Sequence, residues 1–263
     1  MSDPEQTFTR ELEIFRTEAQ AGAQFLYSYL AFNAIVGENK KALDFVNHTP
    51  LFWKTNMGAL QTSFFIVLGR IFDQTSKHNI DVLLKIAESN INIFSKVALA
   101  ARKKRESPNA DEWLEDYLKR SYEPKARDFR EFRKKVKGYR RIYEANYRDI
   151  RRKVYAHKEL TESADVQKLF SKTNIRELQR VFVFVNALYE ALWELLHNGR
   201  KPVLRPMRYS VKNIKKNRKP EWQNQSVQEM IVGETQDFFK LCLAKAQQGA
   251  QPDARKRRRA PVS

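Results

Sequence analysis

Residues 174–199 read Asn-Ile-Arg-Glu-Leu-Gln-Arg-Val-Phe-Val-Phe-Val-Asn-Ala-Leu-Tyr-Glu-Ala-Leu-Trp-Glu-Leu-Leu-His-Asn-Gly, and the fold class turns on them. The centre, Val181 to Val185, alternates Val and Phe as a strand would. However, Val181, Phe184, Val185, Leu188, Leu192 and Leu195 recur at helical spacing and carry one apolar stripe through four turns, which only a helix can do. Asn174 with Glu177 three residues on makes a cap, and Asn198-Gly199 makes a stop.

The same period recurs outward from this segment. Leu12, Phe15, Ala19, Ala23, Leu26, Leu30 and Ala34 predict a helix over about 5–36. Thr49-Pro50 reads as an N-cap and first helical residue of a strongly apolar helix to about Phe72. A shorter helix is expected from Ile80 to about Glu88, with Ile91 to Ala101 continuing it after a break. Ser107-Pro108 starts another, containing Trp113 and Leu118. Pro124 introduces the most charged helix, about Lys125 to Ala156. Ser226-Val-Gln-Glu229 is a capping box before a last helix to about Ala246. The predicted architecture is an all-α bundle over 1–198. A basic arm and one helix follow over 199–247, then a disordered basic tail over 248–263.

Composition agrees. Of 263 residues, 42% are hydrophobic, enough for a core, and only 8 Gly and 9 Pro argue against turn-rich β folds. One cysteine, Cys242, excludes an internal disulfide framework and multi-cysteine zinc sites, so a reducing, cytoplasmic setting is expected. No apolar run approaches the roughly 18 residues of a membrane span. The N-terminus carries Asp3, Glu5, Glu11 and Glu13 without a basic-then-apolar order, so no secretory signal is expected.

The net charge of +18 is uneven. Arg200 to Lys219 holds nine basic residues and no acid, and the tail from Gln248 is net +4 through Arg255 to Arg259, leaving +5 elsewhere. A polyanion is the expected partner, because each cation near a phosphate releases condensed counterions. Arg205, Arg208, Lys212, Lys215 and Lys216 are the arm's candidate RNA contacts, with Tyr209 and Trp222 either stacking on bases or anchoring the arm. A plain solubilising charge is the alternative.

Most catalytic arrangements are missing: no Gly-rich phosphate loop, no HExxH and no Cys/His ligand cluster. His48 and His78 read as surface residues. Glu194-Leu-Leu-His197 is a single ExxH where di-iron bundles need two, so the helix dipole is the simpler account of His197, and no metal or cofactor is expected. His157 has different company, in Tyr147-Arg-Asp-Ile-Arg151-Arg152-Lys-Val-Tyr155-Ala-His157-Lys158. On a regular helix Tyr143, Tyr147, Ile150, Val154 and His157 form one stripe, so the imidazole would continue an apolar seam. Arg148, Arg151, Arg152 and Tyr155 flank it. Imidazole suits proton transfer near neutrality, neighbouring guanidinium groups would favour its neutral form, and guanidinium clamps phosphodiesters. The plainer reading is a core-edge histidine ending a basic helix. Six residues on a regular helix separate Arg151 from His157 by about 9 Å and about 120°, so they meet one phosphate only if the helix ends near Ala156 or two copies face each other.

Arg151-x(5)-His157 at the end of a long helix resembles the motif of HEPN domains, helical bundles of toxins, abortive-infection systems and RNA-processing enzymes. Ala156 before the histidine, and Leu68-Gly-Arg70-Ile-Phe-Asp73 upstream, resemble the abortive-infection U-type (AbiU-like) branch. The resemblance implies a metal-independent endoribonuclease with a composite homodimer site. By that analogy Arg151 polarises the scissile phosphate and His157 assists 2′-OH attack, leaving a 2′,3′-cyclic phosphate. Arg148, Arg152, Tyr155 and Lys158 would support RNA. A polar Asn, Asp or His usually follows the motif Arg in this family; Arg152 departs from that. Arg70 and Asp73, three apart, are expected to pair with each other as a structural salt bridge. The resemblance also implies an antitoxin or defence-system partner. The competing function is a non-catalytic nucleic-acid-binding or ribonucleoprotein scaffold that uses the bundle for dimerisation.

Overall fold

The structure, a computed structural model, describes residues 3–157, 159, 162–205, 209–220 and 223–249. Among the described residues there are helices and no strands. Helix α1 (Pro4–Glu38) is the axis of the bundle. Asp3 caps it by accepting from the Glu5 N–H, with Pro4 at its start, and Phe8, Leu12, Ala19, Ala23, Leu26 and Tyr27 turn one stripe inward. After α2 (Lys40–Asn47), α3 (Pro50–Phe72) packs along α1, with Phe64 against Tyr29, and buries Phe65, Leu68 and Phe72 in the core. Helix α4 (Ile80–Ser89) follows, and the break after it is tighter than expected. Residues Ile91–Phe94 form a 3₁₀ turn, and Ser95 caps α5 (Lys96–Glu106) by accepting from the Ala98 N–H. Beyond Pro108 comes another 3₁₀ turn before α6 (Leu114–Arg120).

Helix α7 (Ala126–Asn146) stops ten residues short of the expected end. Tyr147 leaves helical geometry at φ −124°, and Ile150–Ala156 is π-helical, closed by the His157 N–H donating to the Arg152 carbonyl at 2.9 Å. Helix α8 (Ser163–Phe170), unforeseen from the sequence, leads to α9 (Ile175–Asn198). Here the stripe from Val181 to Leu195 is buried as a helix, not a strand. The Asn174 side chain accepts from the N–H groups of Arg176 and Glu177, and Gly199 ends the helix at φ +55°, a left-handed conformation that glycine adopts without steric cost. The buried amide of Asn186 ties α9 to α1 by donating to the Ala19 carbonyl.

The arm is docked on the bundle. Tyr27 and Gln179 both donate to the Tyr209 carbonyl, at 2.6 and 2.7 Å. A short helix α10 (Val211–Lys216) buries Val211 and Ile214, and α11 (Val227–Gly249) packs on α1 with Val232 in the core. The Glu229 carboxylate accepts from the Ser226 N–H and hydroxyl, one half of the predicted capping box. Residues 250–263, with Arg255 to Arg259, lie outside the described residues, as do Arg208 and Trp222. No helix among the described residues is long and apolar enough to cross a membrane.

Candidate active site at a π-helical turn

The π-helical turn changes which side chains face inward. Bonding at i→i+5 inserts one residue into the turn, so the stripe of Tyr143, Tyr147 and Ile150 continues at Tyr155 instead of Val154. Tyr155 stacks on Phe65 with centroids 5.3 Å apart, its ring meets the edge of Phe170, and burial pushes its hydroxyl up to about 12. It is a packing residue, not a free platform for a base. His157, expected on the apolar seam, is exposed at the end of the turn. The reason is the same shift of register: a regular helix would have carried the imidazole inward.

Arg151 points to the end of α3. Its Nη1 lies 3.0 Å from Asp73 Oδ2, and the other oxygen of Asp73 accepts from the Tyr143 hydroxyl at 2.9 Å. Asp73 follows the last residue of α3 in extended conformation (ψ 122°), so its carboxylate leaves the helix and turns toward the π-helical turn. Arg70, still on α3, pairs instead with Glu18 of α1 at 3.1 Å. The expected Arg70–Asp73 pair is thereby replaced by two ion pairs to other elements, because three-residue spacing brings side chains together only while both residues are helical. Burial raises the Tyr143 hydroxyl most, with the Asp73 charge adding to it, while Arg151 and Arg148 oppose. Tyr143 is therefore a neutral donor holding Asp73 in place.

The cradle for Arg151 includes Gly69. A Cβ there would stand 2.5 Å from Arg151 Nε, so only glycine lets the guanidinium lie against α3. The Nε is buried without a hydrogen-bond partner among the described residues, while about a quarter of the side chain stays exposed. No hydrogen bond or ion pair joins Arg151 to His157 among the described residues. Of the flanking cations, Arg148 and Arg152 are exposed and Lys153 pairs with Asp149. Lys158 lies outside the described residues. Gly69 and Tyr143 were both missed as site residues in the sequence; the glycine inside the Leu68–Asp73 phrase was the available sign.

The arm's cations are more engaged than the sequence implied. Lys215 pairs with Glu38, Lys219 with Glu229, Arg218 with Asp237 and Arg200 with Glu194. Arg205, Lys212 and Lys216 remain exposed. The Tyr209 ring faces Arg180 at 5.6 Å, an anchoring contact.

His197 also needs a different account. A helix dipole would favour its charged form, yet burial depresses its pKa, with Arg102 and Lys103 pushing the same way and Glu106 opposing. The ring packs on Trp193 at 4.8 Å, and Arg102 takes the Leu196 carbonyl at 2.8 Å. An unfolded histidine titrates near pH ~6.5, so a depressed folded value gives stability that is complete above about 6.5 and lost as pH falls through the folded pKa. The urea midpoint is therefore expected to drop between pH values of about 7.5 and about 5.5, and the drop to shrink in His197→Gln.

The all-α bundle carries Arg151 and His157 on one π-helical segment, with Arg151 anchored to Asp73 beyond the end of α3, and its class is that of HEPN-type helical proteins. More narrowly, the chain belongs to the HEPN AbiU2 family, whose model, described as AbiU2, matches residues 5–214. It is thus a HEPN protein of the abortive-infection, defence-related kind. The match runs past residue 198 through most of α10, consistent with the docking of the arm. Neither the curated proteins nor the solved structures contain a significant match.

Proposed function

We propose that this protein is a metal-independent endoribonuclease acting as a cytoplasmic defence effector. The observation that carries the reading is a fixed cation and an exposed imidazole carried by one short π-helical segment. Arg151 is pre-oriented by Asp73 and cradled by Gly69, and His157 ends the turn in solvent. Guanidinium positioned in advance stabilises the charge that develops on a phosphate in the transition state. His157 takes the proton of the ribose 2′-OH as its oxygen attacks phosphorus; the bond from phosphorus to the 5′-oxygen breaks, that oxygen takes a proton from water, and a 2′,3′-cyclic phosphate remains. No step needs a metal, so wild-type protein is expected to cleave single-stranded RNA in EDTA, with cyclic phosphate ends read by mass spectrometry. Intact RNA after that incubation would overturn the reading.

The reading includes a homodimer. A two-fold axis beside the π-helical turn would face His157 of one copy toward Arg151 of the other. Mixing inactive Arg151→Ala and His157→Ala proteins is then expected to restore about a quarter of wild-type cleavage, since about half of randomly formed dimers are mixed and each has one intact site. No recovery after subunit exchange would place both residues of a site in one chain. An RNase in its host's cytosol also calls for a restraining antitoxin-like partner. The scaffold reading is weaker, because four of the arm's cations are bound to acids of the bundle and α11.

A further inference from the structure

A groove of about 1050 Å³ opens at the opposite end of α9 from the π-helical turn, between α6, residues 121–122 and the first residues of the arm. The motif end is marked by the Tyr147 hydroxyl on the Asn174 carbonyl, the groove end by Tyr117 donating to the Asn198 carbonyl at 3.0 Å. The 24 residues of α9 separate these ends by about 36 Å.

Three aromatic rings line the groove: Trp113, Tyr117 and Tyr122. Both hydroxyls are tied down, Tyr117 to Asn198 and Tyr122 to Asp128 at 2.8 Å, and Trp113 meets Tyr117 edge-on at 5.5 Å. What these residues offer to the groove is therefore ring surface held in fixed orientation. Four cations stand among them: Arg120, Arg200, Lys201 and Arg205. Arg200 is paired with Glu194 and Lys201 lies 5.9 Å from the Tyr122 centroid, while Arg120 is exposed. The single acid of the lining, Asp116, is taken by Lys119 at 3.1 Å. Gly199 builds the floor, where its carbonyl accepts from the Tyr122 N–H at 2.6 Å. Arg205 also lines a second cleft of about 490 Å³ with Lys135 and Arg180, which leads back along α9.

We infer that this groove binds single-stranded polynucleotide, its bases on the rings and its phosphates on the cations. An acidic protein would use the cations but has no need of aromatic ring surface beside them, and a duplex hides the base faces that rings stack on. Sites that combine a cationic groove with aromatic platforms bind single strands without reading sequence. The inference deepens the RNA reading above and supplies affinity far from Arg151.

The test is anisotropy titration of the full chain with a labelled 2′-O-methyl oligouridine, which cannot be attacked through its 2′-oxygen, so binding is read whether or not the protein cleaves. Trp113→Ala and Tyr122→Ala are each expected to weaken binding by about five- to hundredfold, and Trp113→Phe to retain most of it. The exposed pair Arg120→Gln/Lys201→Gln is expected to reduce the slope of log affinity against log salt by about 1.4, which keeps the test decisive if an aromatic variant misfolds. Undiminished binding by folded aromatic variants, or an unchanged slope in the double charge variant, would overturn the inference. Equal competition by polyglutamate would assign the groove to an acidic protein and overturn it as well. Cleavage by wild type alongside unaffected groove variants sinks the groove alone; groove-dependent binding without cleavage sinks the catalytic reading alone.

Discussion

His157→Ala is expected to lower RNA cleavage by about 10²- to 10⁴-fold, the usual worth of a positioned proton-transfer group, while leaving fold and RNA affinity near wild type. The imidazole is exposed, and among the described residues His157 closes the turn through its backbone N–H. Its removal therefore leaves no cavity and no unpaired buried group, and the thermal midpoint should move little. The contrast between a large kinetic loss and a small stability change separates a catalytic role from the core-edge role that a regular helix would have implied. Single-turnover cleavage assays beside thermal melts provide both readings. A variant that cleaves as fast as wild type removes His157 from the chemistry.

Asp73→Ala is expected to damage both properties. Asp73 is the meeting point of Arg151 and Tyr143, and truncating it leaves a largely buried guanidinium without its counter-charge and a buried hydroxyl without an acceptor. Because Arg151 keeps about a quarter of its surface in solvent, the cost should fall to about 2–3 kcal/mol, below the ~3–5 of a fully buried pair. Cleavage should fall by at least the ~10²-fold that misplaced catalytic groups commonly lose, since Arg151 is then free to leave its cradle beside Gly69. Asp73→Asn keeps an acceptor for Tyr143 without the charge. It should recover much of the stability and little of the activity, by denaturant titration and initial-rate measurement respectively. Equal recovery of both would mean that the charge of Asp73 does not act through Arg151.

The Arg151–Asp73 contact marks where the sequence stopped being legible. Both residues stand out in the sequence, but their three-residue spacing pairs Asp73 with Arg70, although the predicted helix end at about Phe72 already leaves Asp73 outside the helix. Local capping decided otherwise: α3 ends at Phe72, and one extended residue swings the carboxylate onto another element. The helical stripe from Val181 to Leu195, by contrast, was readable because burial along one helix face leaves a period in the chain itself. Likewise Gly199 and Asn174 were readable, since caps are satisfied by neighbours a few residues away. The basic arm is legible in composition, but Glu38, Glu194, Glu229 and Asp237 are scattered along the chain, and no local pattern shows that they pair with four of its cations.

By itself, then, the amino-acid sequence determined the all-α class, the ends of α1, α3, α4 and α9, the uneven charge and the presence of Arg151 and His157 near one another in the chain. Each of these is local, a matter of spacing and of side chains reaching their own backbone. Only the tertiary structure decided that the motif helix turns π-helical after Tyr147, that Tyr155 instead of His157 faces the core, and that Asp73 holds Arg151. A one-residue change of helical register reorients every side chain beyond it. Its direction is chosen by what packs opposite, here Phe65, Phe170 and the glycine at position 69.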